Sequence, residues 1–187
     1  MTFPPKPITL KDGREAIFRS PELSDCPALI DYLLTTATET DFLMSDPRES
    51  GRWEGEEGLQ REQEIIGDNI SSPDKLMICC FVDGELAGNC FISYNTRVKT
   101  AHRATVGVGL IKKYWGLGIG TAMFNELIQN AYERGGIMQL ELDYLEGNTR
   151  ALGLYTKMGF KEVAHKPNAV KLADGTLLDE ISMVKML

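Results

Sequence analysis

Hydrophobic and polar positions along the chain change period several times, and each change predicts an element. Residues 14–19 read as a first strand. Ser24 supplies an N-cap residue type, and beyond it Leu29, Ile30, Leu33, Leu34 and Ala37 fall on one helical stripe. A second helix is expected over roughly 57–70, closed by the turn Ser71-Ser-Pro-Asp74. Residues 75–82 and 85–95 then read as two strands folded across Asp83-Gly84, a strong hairpin signal. A strand over 103–111 feeds a helix over 120–134 that carries Met123, Phe124, Leu127, Ile128 and Ala131 on one face. A strand over 138–145, a helix over 149–157 and strands over 160–165 and 178–186 complete the chain. Pro4, Pro5 and Pro7 predict an irregular N-terminal stub, and no internal repeat is visible.

The connections restrict the topology. Strand–helix–strand crossovers after Ile111 imply parallel pairing there, while the earlier hairpin implies antiparallel pairing. The fold class is therefore α/β of the α+β kind: a mixed sheet covered by helices.

Composition adds mainly exclusions. With 187 residues, 43% hydrophobic and 25% charged, one domain over 1–187 with a sizeable core is expected. No apolar run approaches the roughly 18 residues of a membrane helix, and no signal-peptide core follows Met1, so no membrane association is expected. Cys26, Cys79, Cys80 and Cys90 form no Cys-x-x-Cys pair. Cys79 and Cys80 are adjacent in a strand and should face opposite ways. Buried, reduced thiols favour the cytoplasm. Two histidines, His102 and His165, and no cysteine cluster make a metal site unexpected. The net charge of −7 argues against nucleic acid and suits a cationic partner. Nothing in the sequence excludes a homodimer.

The candidate chemistry lies in Val106-Gly-Val-Gly-Leu-Ile-Lys-Lys-Tyr-Trp-Gly-Leu-Gly-Ile-Gly-Thr121. An apolar strand runs into a turn with Gly116, Gly118 and Gly120, and a helix follows at once. Glycines let the backbone approach a ligand, and the free N–H groups and dipole of the first helical turn attract an anion. This describes a phosphate or pyrophosphate cradle. It is not a nucleoside-triphosphate loop, because no Lys-Ser or Lys-Thr pair follows the glycines. It is not the dinucleotide fingerprint either, because Met123 stands at the third glycine position.

Downstream come Leu140-Glu-Leu-Asp-Tyr-Leu-Glu-Gly-Asn148 and then Thr-Arg-Ala151-Leu-Gly-Leu-Tyr155-Thr-Lys-Met-Gly159-Phe160. With these two segments the chain resembles the general-control-type N-acetyltransferase (GNAT) superfamily over about 101–160. The family motif [Gln/Arg]-x-x-Gly-x-[Gly/Ala] matches at Gly118 and Gly120, with Trp115 in the Gln/Arg slot. The next motif, an Asn followed by Ala-x-x-x-Tyr-x-x-x-Gly-Phe, matches at Asn148, Ala151, Tyr155, Gly159 and Phe160. The resemblance implies a largely antiparallel sheet whose two central parallel strands splay to admit acetyl-coenzyme A. Leu110, Ile111 and Lys112 would pair with its pantetheine arm, in the manner of strand addition. Trp115, Gly116, Leu117, Gly118, Ile119, Gly120 and Thr121 would wrap its pyrophosphate, and Asn148 would complete the site. Because Trp115 brings no charge, backbone N–H groups would carry most of the pyrophosphate, helped by Lys112 and Lys113.

The resemblance also implies the chemistry: direct transfer of acetyl to a primary amine, with no metal and no acetyl-cysteine step. A backbone N–H near Ile111 would stabilise the oxyanion, and Tyr155 would protonate the leaving thiolate. A core tyrosine would show the same helical stripe of Ala151, Leu154, Tyr155 and Met158. No general base stands out. The strand over 104–111 has no acid where the family often has one, while Glu141 and Asp143 leave one face of the next strand. The run with Asp41, Asp46, Glu49, Glu54, Glu56 and Glu57 would steer a small cationic amine, or is simply solvated. A protein N-terminus as acceptor and a non-catalytic acyl-coenzyme-A-binding module are the alternatives.

Overall fold

Asp83 and Gly84 both adopt positive φ, 53° and 83°, as a two-residue hairpin turn demands. They fold β3 (Lys75–Val82) against β4 (Glu85–Tyr94) at the centre of an eight-stranded sheet. The computed structural model describes residues 1–187. The other strands are β1 (Lys6–Thr9), β2 (Glu15–Arg19), β5 (Arg103–Leu110), β6 (Gln139–Leu145), β7 (Lys161–Lys171) and β8 (Leu177–Met186), and the sheet order is β1-β2-β3-β4-β5-β6-β8-β7. Only β5 and β6 pair parallel, as the crossover through α3 (Ile119–Arg134) requires.

The pairing of β5 with β6 is short. It covers Arg103–Thr105 against Gln139–Glu141, and beyond it the strands part. Residues 142–145 of β6 stay paired with β8, while Val106–Leu110 of β5 stay paired with β4. The sheet therefore opens into the splay that the resemblance implied.

Alternation sends side chains to two helical layers. One face packs under α3 and α4 (Thr149–Lys157) in a core that includes Ile78, Cys80, Cys90, Ile92, Val106, Met123, Phe124, Leu127 and Tyr155. The other packs under α1 (Cys26–Glu39) and α2 (Gly55–Ser71) in a smaller cluster of Cys26, Leu29, Tyr32, Ile66, Cys79 and Leu86. Cys79 and Cys80 do face opposite layers. All four cysteines are free and buried, and burial pushes the Cys79 and Cys80 thiols up to about 12.

Three expectations needed correction. The N-terminal stub contains β1, an edge strand where Pro7 costs little because one side of the backbone needs no ladder bond. β7 runs on to Lys171 rather than stopping at His165, through two register irregularities. It lies at the sheet edge and is exposed over most of its length, so its sequence carries no alternation to read. The first helix begins after a short 3-10 turn, Leu23–Asp25, with Glu22 and Asp25 capping each other's backbone in place of a Ser24 cap.

Candidate active-site cleft

The splay forms the floor of a cleft of about 1130 Å³ that runs between the two helical layers. Ile111 N–H donates to Ala87 C=O of β4 at 3.0 Å, so it is not free to meet an oxyanion. Ladder alternation then turns the amides of Val108, Leu110 and Lys112 to the edge that β6 has left. Two groups on that edge are engaged from within the chain: Leu110 C=O accepts from Trp115 Nε1 at 2.9 Å, and Lys112 N–H donates to the Glu39 carboxylate at 2.6 Å. The N–H groups of Val108 and Leu110, close to Ile111, are left facing the open edge.

The glycine turn follows at once. Gly116 and Gly118 have φ of 81° and 90°, a left-handed backbone that a side chain would strain. Gly118 is the N-cap of α3 and contributes no side chain, so the first-turn N–H groups stay open. Gly120 packs α3 against α4, where a Cβ would meet Leu154 at 3.0 Å. Ile119, Gly120 and Thr121 border the cleft, but the side chains of Ile111 and Leu117 pack into the core instead. Asn148 borders the cleft too, yet its side-chain oxygen accepts from Ala151 N–H at 3.1 Å and caps α4.

Trp115 turns out to be a shelf for charge. The Arg150 guanidinium lies 4.5 Å from its ring centroid and Lys112 Nζ 5.9 Å. Lys11 lies over Gly118, with its Cγ and Cε 3.5 Å from where a Cβ would be. Lys157 Nζ donates to Thr121 Oγ1 at 3.3 Å. Lys11, Lys112, Arg150 and Lys157 all border the cleft, and none is in an ion pair. Lys113, expected among them, is instead paired with Glu85. Lys11 and Arg150 escaped the sequence reading because strand order and the α4 register bring them to the turn, not sequence proximity.

Two phenols reach the cleft from opposite layers. Tyr155 comes from α4, its ring edge-on to Phe124 and Tyr144 at 5.6 and 6.1 Å, and burial pushes its hydroxyl up to about 12. Tyr32 comes from α1, is 4% exposed, and is likewise raised by burial. Neither hydroxyl has a partner within the chain. Glu62 Oε2 is the one sealed side-chain polar atom left unpartnered, so both phenol oxygens must open onto the cleft they line. Tyr32 was seen in the sequence only as a residue inside a helix.

Acidic groups are distributed unevenly. Glu39, Asp41, Asp143 and Glu180 border the cleft. Glu141 does not serve there, because Arg103 and Gln139 bind its carboxylate. Asp143 accepts from Ser182 Oγ at 2.6 Å. In the acidic stretch, Asp46 caps the short 3-10 turn Pro47–Trp53 and is paired with Arg48 at 2.6 Å, which holds its carboxyl down near about 2. Glu49, Glu54, Glu56 and Glu57 stand away from the cleft. Of that run, Asp41 alone borders it.

Comparison with known proteins agrees with this geometry. A family model described as acetyltransferase (GNAT) family matches residues 38–160. An L-amino acid N-acetyltransferase of Escherichia coli (strain K12) is 24% identical over 112 residues, which is 60% of this chain and 68% of that protein. The crystal structure of a GNAT-family acetyltransferase from Streptococcus pneumoniae superposes with a TM-score of 0.81 at 24% identity, covering 92% of this chain and 99% of that one. A ribosomal L7/L12 alpha-N-protein acetyltransferase solved with coenzyme A gives a TM-score of 0.75 at 18% identity, covering 92% of this chain and 94% of that one.

Proposed function

Because the chain belongs to the acetyltransferase (GNAT) family, we propose that it moves an acetyl group from acetyl-coenzyme A to a primary amine by direct attack within a ternary complex. All 187 residues form one such domain in this reading, and the enzyme works in the cytoplasm without a metal. The observation that carries it is the arrangement along the cleft. A strand edge with free amides leads into a left-handed glycine turn and an open helix N-terminus, ringed by four unpaired cations. Such an array suits an anionic, amide-containing thioester.

Val108 and Leu110 hold the pantetheine amides and the thioester carbonyl, while residues 115–121 and the Arg150 shelf hold the phosphates. Lys112 joins them once its N–H releases Glu39. The acceptor arrives as an ammonium drawn by Glu39, Asp41, Asp143 and Glu180, and gives up one proton to water held by these carboxylates. Its nitrogen forms a bond to the carbonyl carbon, the carbon–sulfur bond breaks, and Tyr155 donates its proton to the departing thiolate, while the second proton shed by the nitrogen passes through cleft water and restores the Tyr155 phenol. Burial keeps Tyr155 protonated until then, which suits a donor.

A thiol-release assay with a panel of amines and acetyl-coenzyme A tests this reading. Thiol release matched to N-acetylated product by mass spectrometry supports it. Cofactor binding without transfer to any amine or peptide would favour the non-catalytic acyl-coenzyme-A-binding module. Transfer to peptide N-termini alone would favour a protein acetyltransferase, the activity named for the ribosomal-protein neighbour.

A further inference from the structure

The α1 side of the cleft shows how an acceptor could be recognised. β5 carries glycine at 107 and 109, both on the face turned to α1. Neither has a positive φ, so backbone conformation does not require glycine there. Space does. A Cβ on Gly107 would collide with the Phe91 ring, and one on Gly109 would collide with the Tyr32 hydroxyl. The strand is hollowed so that an aromatic ring and a phenol can sit directly on its backbone, beside the splay.

The phenol is the second observation. Tyr32 is almost wholly buried, its hydroxyl has no partner in the chain, and it opens onto the cleft. A phenol held on the cleft wall with no partner in the chain leaves both its donor and its acceptor free for a ligand. Burial raises its pKa, so it stays a neutral phenol at working pH and acts by holding a group rather than by taking a proton. Leu33, Phe42 and Phe91 are among the apolar residues that line the cleft, Phe91 lying over Gly107 and Phe42 against Gly147.

We infer that this alcove is the acceptor subsite, and that it takes a primary amine carried on an apolar or aromatic body. The amine nitrogen hydrogen-bonds Tyr32 Oη beside the free edge of β5, and the apolar body lies against Phe91, Leu33 and Phe42. The carboxylates of the cleft attract the ammonium, while the apolar wall disfavours a second charge at the far end of the molecule. Acceptors with two ammonium groups are therefore selected against. The inference rests on the acetyl-transfer reading and specifies its substrate class.

Steady-state kinetics at saturating acetyl-coenzyme A provide the test, with phenethylamine and isoamylamine against ethylamine and putrescine. The expected result is a kcat/KM for phenethylamine at least about 10-fold above those for ethylamine and putrescine, as apolar pocket contacts give. Tyr32→Phe should raise KM for phenethylamine roughly 3- to 10-fold, the range for one lost hydrogen bond. Its melting temperature and its calorimetric affinity for coenzyme A should match the parent's. Phe91→Ala should erase most of the preference for phenethylamine over ethylamine. Preference for putrescine, or a Tyr32→Phe enzyme with unchanged KM and kcat, would overturn the inference and leave acetyl transfer standing. Failure of every amine to release thiol would overturn both.

Discussion

The two faces of β5 were built by opposite means. Toward α3 the strand presents Val106 and Val108, which join a large core together with Met123, Phe124 and Leu127. Toward α1 it presents Gly107 and Gly109, and the volume their side chains would fill is taken by Phe91 and Tyr32 reaching in from neighbouring elements. The α3 face therefore resists change by dense packing, and the α1 face by a few specific contacts to bare backbone. In the proposed mechanism the first supports the cofactor and the second shapes the acceptor. Mutations on the two faces should consequently fail in different assays.

The largest effect is expected on the cofactor face. Tyr155→Phe should lower kcat by roughly 10²-fold while coenzyme A affinity, followed by calorimetry, stays near the parent value. Wild-type turnover in that variant would reduce Tyr155 to a packing residue of the Phe124–Tyr144–Phe160 aromatic cluster. On the opposite face, Gly109→Ala should cost about 1–3 kcal/mol of stability in thermal unfolding, because buried Tyr32 has little room to retreat. An unchanged Tm would show that the α1 layer yields easily and would blur the contrast between the faces.

Gly118→Val returns to the cofactor side. A Cβ there meets only the flexible stem of Lys11, so strain at φ 90° rather than collision is the damage. Left-handed backbone costs a non-glycine residue about 1–2 kcal/mol. Coenzyme A binding should weaken by about 10-fold or more as the turn relaxes, with little change in the acceptor KM.

The smallest effect concerns Glu62 on the buried face of α2. Its carboxyl is buried with one oxygen unpartnered, and desolvation raises its pKa above the ordinary 4.5. The folded protein therefore holds this proton more tightly than the unfolded chain does. That contribution to stability is complete below the unfolded pKa and is lost as pH rises through the folded one. Glu62→Gln should accordingly raise Tm at pH 8, by about 2–4 °C per kcal/mol recovered, and change it less at pH 4. An equal shift at both pH values would mean that Glu62 is not titrating.

Legibility in the sequence followed what local chemistry controls. The helix over 149–157 was read to the residue, since Asn148 caps it and Gly159 ends it, and the Asp83-Gly84 hairpin was equally plain. The glycine turn was visible because left-handed backbone leaves glycine as its mark. β1 was hidden by its prolines and β7 by its exposure. Along the cleft, the glycine turn and the place of Tyr155 on its helix could be seen in advance, whereas the Arg150–Trp115 shelf, Lys11 and the Tyr32 phenol could not. Those depend on contacts between residues tens of positions apart. The glycines at 107 and 109 were in view, but the two side chains that explain them lie on other elements.

The contact between Tyr32 and Gly109 also constrains how the protein can evolve. With tyrosine at 32, any side chain at 109 meets the hydroxyl; without that oxygen, the next atom is the ring Cζ at 3.5 Å, an ordinary contact. Two substitutions that lead to the same double variant therefore differ by the order in which they occur. Tyr32→Phe followed by Gly109→Ala keeps every intermediate foldable, whereas the reverse order passes through a destabilised form. Descendants in which 109 has gained a side chain should already have lost the hydroxyl at 32, so the two positions will drift as a pair.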